Sequence, residues 1–202
     1  MSGGALVTGA GGQLGRELVL TAPAGTDCAA LDRQGLDIGD AAAIGRALDA
    51  HEPQVVINAA AYTAVDRAEA EAEVAGAING TAPGLLAAAC AERGVRLLHV
   101  STDFVFDGRA SSPYAPEAEA APLGAYGRSK LAGEAAVRAA LPDAIVLRTG
   151  WVYSRHGGNF VKTMLRLMGE REELTVVADQ VGTPTWARGL ALALWSFAER
   201  PA

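Results

Sequence analysis

The stretch Ala5-Leu6-Val7-Thr8-Gly9-Ala10-Gly11-Gly12-Gln13-Leu14-Gly15 decides the fold. Its first four residues form an apolar run suited to a strand, and Leu14, Leu18 and Val19 recur beyond it at helical spacing. Strand, glycine turn and helix in direct succession give the turn its meaning. Glycine permits the tight bend and lets backbone N–H groups approach an anion, while the helix end carries about half a positive charge. A pyrophosphate fits there, so the stretch reads as the opening of a dinucleotide site. The spacing of Gly9, Gly12 and Gly15 is G-x-x-G-x-x-G, one residue wider at its start than the more usual G-x-G-x-x-G. In a chain with 24 glycines the same residues also read as an ordinary turn.

Outward from this turn, apolar runs and helical stretches alternate. Cys28 to Leu31, Val55 to Ile57, Val95 to Val100, Ala144 to Arg148 and Leu174 to Val177 read as further strands. Ala41 to Ala50, Ala82 to Glu92 closed by Gly94, Tyr126 to Ala140, Asn159 to Gly169 and Trp186 to Glu199 read as helices. Strands that are continuous apolar runs separated by helices imply an α/β fold with a doubly wound parallel sheet buried on both faces. Asp107 to Leu123, with Pro113, Pro116 and Pro122, reads as a surface loop, and the acidic stretch Asp66 to Glu73 as a solvated helix face.

The chain has 202 residues, which suits one domain, and 50% hydrophobic with 20% charged residues predicts a folded, alanine-rich interior. A net charge of -6 disfavours nucleic acid as a partner. Cys28 and Cys90 form no framework and no metal-ligand cluster, so two reduced thiols and no metal site are expected. With no apolar run of about 18 residues and no basic leader in Met1-Ser2-Gly3-Gly4, no membrane span is expected and the cytoplasm is the expected compartment.

The end of the second strand sets the choice of nucleotide, because a carboxylate there accepts from a ribose hydroxyl and an arginine tolerates a phosphate. Asp32 and Arg33 are adjacent, so NAD and NADP both stay open. Asp37-Ile38 reads either as an adenine contact or as the approach to a helix. Tyr126 and Lys130 lie four apart on one helix face, and Ser101-Thr102-Asp103 ends the fourth strand, where ligands of open parallel sheets bind. Such a set suits hydride transfer to a carbonyl. Tyr126 would be the acid, Lys130 and the positive nicotinamide ring would lower its pKa from about 10 to about 7, and Thr102 would hold the substrate oxygen. Lowering it that far takes roughly 4 kcal/mol.

Taken together, the glycine turn, Asn58-Ala59-Ala60-Ala61, Ser101-Thr102 and Tyr126-x-x-x-Lys130 resemble the extended short-chain dehydrogenase/reductases. Longer blocks resemble the dTDP-4-dehydrorhamnose reductases among them: Gly12 to Leu18, Asn58 to Asp66, Ser101 to Gly108, Tyr126 to Glu134, Arg148 to Tyr153, and Asp179-Gln180 with Gly182, Pro184 and Thr185. The resemblance implies an NAD(P)-binding Rossmann fold and reduction of the 4-keto group of dTDP-4-dehydro-L-rhamnose by NADPH or NADH. It implies Thr102, Tyr126 and Lys130 as the catalytic set. It places Gly9, Gly12, Gln13, Leu14, Asp32, Arg33, Asp37, Ile38 and Ala59, Ala60 and Ala61 at the cofactor, together with Tyr126 and Lys130. Val65, Thr102, Asp103, Tyr126 and Trp151 would face the sugar nucleotide; without the resemblance Trp151 reads as a core aromatic.

The chain departs from that family at Gly158, where asparagine is more frequent, and in being shorter. Residues 1–202 are therefore expected to form one nucleotide-binding domain with part of the substrate region, at about 150–185, and a truncated carboxy-terminal subdomain. A homodimer fits the resemblance, but neither it nor a magnesium site is predicted. A sugar-nucleotide dehydratase is disfavoured because Phe104 stands where those enzymes place a glutamate. The alternatives are a non-catalytic NADP-binding regulatory subunit, which belongs to another class, and another short-chain reductase that modifies a nucleotide sugar.

Overall fold

The computed structural model describes residues 4–200, so Met1 to Gly3 of the amino-terminal reading lie outside the described residues. The first half alternates as expected: β1 (Ala5–Thr8), α1 (Gln13–Leu20), β2 (Cys28–Leu31), α2 (Ala41–His51) and β3 (Val55–Asn58). A 3₁₀ turn (Asp66–Glu69), α3 (Ala72–Ala75), a π turn (Gly76–Thr81) and α4 (Ala82–Glu92) then lead to β4 (Arg96–Thr102). After α5 (Ala125–Ala140) and β5 (Ile145–Thr149) come β6 (Val152–Tyr153), α6 (Phe160–Glu170), β7 (Thr185–Trp186) and α7 (Ala187–Ala198).

The five long strands form one parallel sheet in the order β2-β1-β3-β4-β5. Strand order reverses between β1 and β3, which opens a crevice at their carboxyl ends. Alternate residues face opposite sides. Leu6, Val56 and Leu97 pack under α2, α4 and α5, while Val7, Val55, Ile57 and Leu98 pack under α1 and α7. Each fully buried leucine or valine contributes about 1.5–3 kcal/mol. The indole N–H of Trp195 on α7 donates to the Leu18 carbonyl of α1 at 3.0 Å, tying that second layer together.

Helix ends follow local chemistry. The Asp40 carboxylate caps α2 by accepting from the amides of Ala42 and Ala43. At the end of α4, Val95 N–H bonds Cys90 O and Gly94 N–H bonds Ala91 O, the crossed pair that the glycine there permits. Arg96, opening β4, donates to the carbonyls of Phe197, Ala198 and Arg200 and so closes α7.

Four expectations are corrected. Leu174 to Val177 is not a strand: among the described residues no strand lies beside it to satisfy its backbone, and Val177 is 68% exposed. The sheet is buried on both faces only at β1, β3 and β4, since β2 and β5 are edges and half-exposed. The acidic stretch is more than a solvated face. Glu69 accepts from the Ala125 amide at 2.6 Å, capping α5, and Glu71 accepts from the Tyr62 hydroxyl at 2.6 Å. Finally, Ala72–Glu92 is a continuous 21-residue helix of mean hydropathy 1.4, long and apolar enough for a membrane span. Its buried residues, among them Ala82, Leu86, Ala87 and Cys90, pack into the domain core.

Candidate active site

The glycine turn is shaped by contact on two sides. Gly9 has φ +68°, and a Cβ there would sit 2.6 Å from the Ala60 nitrogen and 2.7 Å from the Ala59 carbonyl oxygen. The turn is thus pressed against the backbone leaving β3, which brings Ala59 and Ala60 to the crevice. A Cβ on Gly15 would overlap the Gly9 carbonyl, so α1 begins directly against the turn. The Ala10 amide bonds Leu31 O at 3.1 Å, placing the end of β2 alongside. No side chain caps α1 at Gly12 and no acidic residue occupies its first turn, which leaves its N–H groups to an anion. The cradle fits a dinucleotide pyrophosphate.

Of the residues predicted around it, Asp32 and Arg33 are exposed at the end of β2. The Asp32 carboxylate accepts from the amides of Gln34 and Gly35, and its Cβ lies 3.6 Å from where a Cβ on Gly11 would stand. Asp37 accepts from the Gly39 amide in the turn before the Asp40 cap. The Ile38 side chain is buried in the core, so only its backbone can face a ligand. Leu14, on the buried face of α1, is likewise core.

Gln13 binds the segment after β6 with its side chain. Its Oε1 accepts from Asn159 Nδ2 at 2.8 Å and Ser154 Oγ at 3.3 Å, clasping the segment after β6. Beside this clasp, His156 Nε2 lies 3.3 Å from the buried Glu17 carboxylate of α1.

A polar line runs from the carboxyl ends of β1 and β3 into the middle of β4. Thr8 Oγ1 donates to Asn58 Oδ1 at 2.7 Å, and Asn58 Nδ2 donates to His99 Nδ1 at 3.0 Å. Burial pushes the His99 imidazole down to about 3, with the Lys130 charge adding in the same direction. The ring is neutral and carries its proton on Nε2. Sequence reasoning missed His99, which sits inside an apolar run and looks like one more core position.

Thr102, Asp103, Tyr126 and Lys130 come together where β4 meets α5. Burial raises the Tyr126 phenol above its ordinary value and the adjacent Asp103 carboxylate adds to this, while the Thr102 hydroxyl pulls the other way. The lowering expected at Tyr126 draws on the nicotinamide ring as well as on Lys130. The Lys130 ammonium donates to the Val100 carbonyl at 2.7 Å. Lys130 is 2% exposed, and burial pushes it down to about 8 against the pull of Glu134. Val65 packs in the same small cluster as Tyr126 and Ala125. Phe104 meets the Tyr126 ring edge-on at 5.7 Å.

Asp103 is held against Gly150, where a Cβ would collide with its carboxylate. Burial raises the Asp103 carboxyl. Trp151 follows at φ +52° and is 40% exposed, so it is not a core aromatic. Its indole rests on Gly182 and meets Phe160 edge-on at 6.5 Å. Among the described residues no group of three His, Cys, Asp or Glu side chains is placed to hold a metal ion.

Residues 4–202 match the family model described as the RmlD substrate binding domain. The chain belongs to this family. Within it, the chain is similar to a dTDP-4-dehydrorhamnose reductase of Burkholderia thailandensis, 48% identical over 92% of this chain and 62% of the relative. It is 50% identical to one of Mycobacterium tuberculosis, over 96% of this chain and 65% of the relative. The chain thus spans less than two thirds of the length of these curated RmlD-family relatives. A Bacillus anthracis dTDP-4-dehydrorhamnose reductase solved in complex with NADP superposes with TM-score 0.95 at 38% identity, covering 98% of this chain and 70% of that one.

Proposed function

We propose that this chain carries the nucleotide site and reacting groups of an NAD(P)H-dependent reductase that converts dTDP-4-dehydro-L-rhamnose to dTDP-L-rhamnose. The supporting observation is the Gly9 cradle, pressed on Ala59 and Ala60 at the same sheet end where Thr102, Tyr126 and Lys130 meet. Bound in that cradle, NADPH or NADH supplies hydride to the keto carbon. Tyr126 Oη gives its proton to the keto oxygen as that carbon is reduced, and Thr102 Oγ1 holds the oxygen in register. Lys130, one helical turn on, stabilises the phenolate left behind. The backbone of Gly12, Gln13 and Leu14 holds the pyrophosphate, Asp32 and Arg33 meet the ribose, and Asp37, Ile38 and Ala59 to Ala61 line the nucleotide. Val65, Asp103 and Trp151 face the sugar nucleotide.

In this reading residues 1–202 are one nucleotide-binding domain with part of the substrate region at about 150–185, acting in the cytoplasm, alone or as a homodimer. The free thiols of Cys28 and Cys90 suit a reducing compartment. The test is NADPH oxidation with and without the keto sugar, beside Tyr126→Phe. Wild type is expected to consume NADPH only with the sugar, and the variant to lose roughly 100-fold or more of the rate while still binding NADPH. Equal turnover by both proteins overturns the role of Tyr126.

One observation favours a second reading, a non-catalytic nucleotide-binding subunit. Phe160, Leu165 and Met168 on α6 and Val177 and Val181 beyond it stand exposed, apolar surface of the kind that partner subunits cover. NADPH binding without any turnover by wild type selects that reading.

A further inference from the structure

Behind Tyr126 and Lys130 lies a buried carboxylate that the reaction as proposed does not use. Glu134 is one turn after Lys130 on α5 and 2% exposed. It accepts from Ser101 Oγ at 2.5 Å. Arg148 grips it with two nitrogens, Nε at 2.9 Å from Oε1 and Nη2 at 2.7 Å from Oε2. The parallel register of β4 and β5 sets Arg148 directly beside Ser101, so the carboxylate is fixed from two strands and its own helix at once. Arg148 is itself held, its Nη1 on the Pro116 carbonyl at 3.3 Å and its guanidinium 5.0 Å over the Phe106 ring.

Two guanidinium nitrogens and the Ser101 hydroxyl hold the Glu134 carboxylate, and in an interior of low dielectric such a group acts over more than contact distance. The charged and polar groups facing Lys130 are few. Its own helix presents Tyr126 and Glu134, and β4 presents the neutral His99 and the Val100 carbonyl. Arg148 on β5 acts through Glu134. Among the described residues, the negative charge that opposes the desolvation of the Lys130 ammonium is that of Glu134, and the two side chains anchor on adjacent residues of β4, Lys130 Nζ on the Val100 carbonyl and Glu134 Oε1 on Ser101 Oγ.

We propose that Glu134 is a positioning residue that keeps Lys130 protonated where the reaction needs an ammonium, and that Arg148 sets how much of the carboxylate's charge Lys130 feels. The consequence for the chemistry rests on the reductase reading, but the charge relation itself does not. Its test therefore uses the ligand-free chain and no turnover.

The sequence makes the measurement clean, because Lys130 and Lys162 are the only two lysines. With ¹³C-labelled lysine the two Cε signals are followed against pH, assigned by Lys162→Arg. Lys162 is exposed on α6 and serves as the internal reference. In wild type the Lys130 midpoint is expected near 8. In Glu134→Gln it falls by roughly one pH unit or more while Lys162 stays put. Glu134→Asp, which keeps the charge, restores most of the difference. Arg148→Met moves the midpoint upward, because the carboxylate is then no longer shared. Loosening of the pocket would hydrate Lys130 and push every variant up, so the downward move of Glu134→Gln is a result that a purely structural role does not give. An unchanged or raised midpoint in Glu134→Gln overturns the proposal. Should that variant not fold, Glu134→Leu, which removes the charge without burying a polar group, carries the test in its place, and an unchanged or raised midpoint there overturns the proposal.

Discussion

Asn58 and His99 fix one another: the Asn58 amide donates to His99 Nδ1 at 3.0 Å with both side chains fully buried, and the imidazole is held neutral with its proton on Nε2. This makes stability sensitive to acid. The unfolded chain takes up a proton at this histidine near 6.5, whereas the native ring does so only near 3. The contribution is complete above 6.5 and is lost as pH falls, at about 1.4 kcal/mol per pH unit. Urea unfolding across pH 4 to 7 should show wild type weakening more steeply than His99→Leu by about that slope. Parallel slopes would contradict the neutral ring.

Gly9→Ala meets both a left-handed backbone and the Ala59–Ala60 backbone. The expected loss is about 3 kcal/mol or more, with NADPH binding abolished in whatever protein still folds. Thermal unfolding and NADPH fluorescence titration read the two effects. Near-normal values for both would mean that the turn is not seated as described.

Gln13→Ala removes the acceptor shared by Asn159 and Ser154. A loss of about 1 kcal/mol is expected, with faster tryptic cleavage after the exposed Arg155. Unaltered cleavage would show that the segment is held by other contacts, such as those of His156 and Lys162.

Arg96→Ala leaves three carbonyls at the end of α7 without their guanidinium. About 2 kcal/mol should be lost, and amide exchange should quicken across residues 197–200 ahead of the rest of the helix. Uniform exchange changes along the whole chain would count against a local capping role.

The frame was legible because its signals are local. An apolar run, a glycine turn and a helix leave their mark within the stretch Ala5 to Gly15, and Tyr126 and Lys130 announce their shared face by spacing alone. What stayed hidden depends on which strands lie side by side. Nothing in the neighbourhood of Arg148 says that β5 will place it next to Ser101, and without that register Glu134 is one more acidic residue on a helix. His99 is hidden for the opposite reason, a polar side chain inside a run whose neighbours are core. Leu174 to Val177 failed because composition makes a strand only where a partner edge is available to its backbone.

The stretch between Asp107 and Leu123 has the look of a dispensable surface excursion, yet it is pinned at both ends. Phe106 stacks on Tyr114 at 4.3 Å beneath Arg148, and the Ala121 amide bonds Val105 O at 2.9 Å. For anyone wishing to splice a tag or reporter into this protein, the tolerant window shrinks to the exposed tip around Arg109 to Ser112. A graft made a few residues later would tug on Pro116, and through Arg148 the disturbance would arrive at Glu134, one helical turn from Lys130.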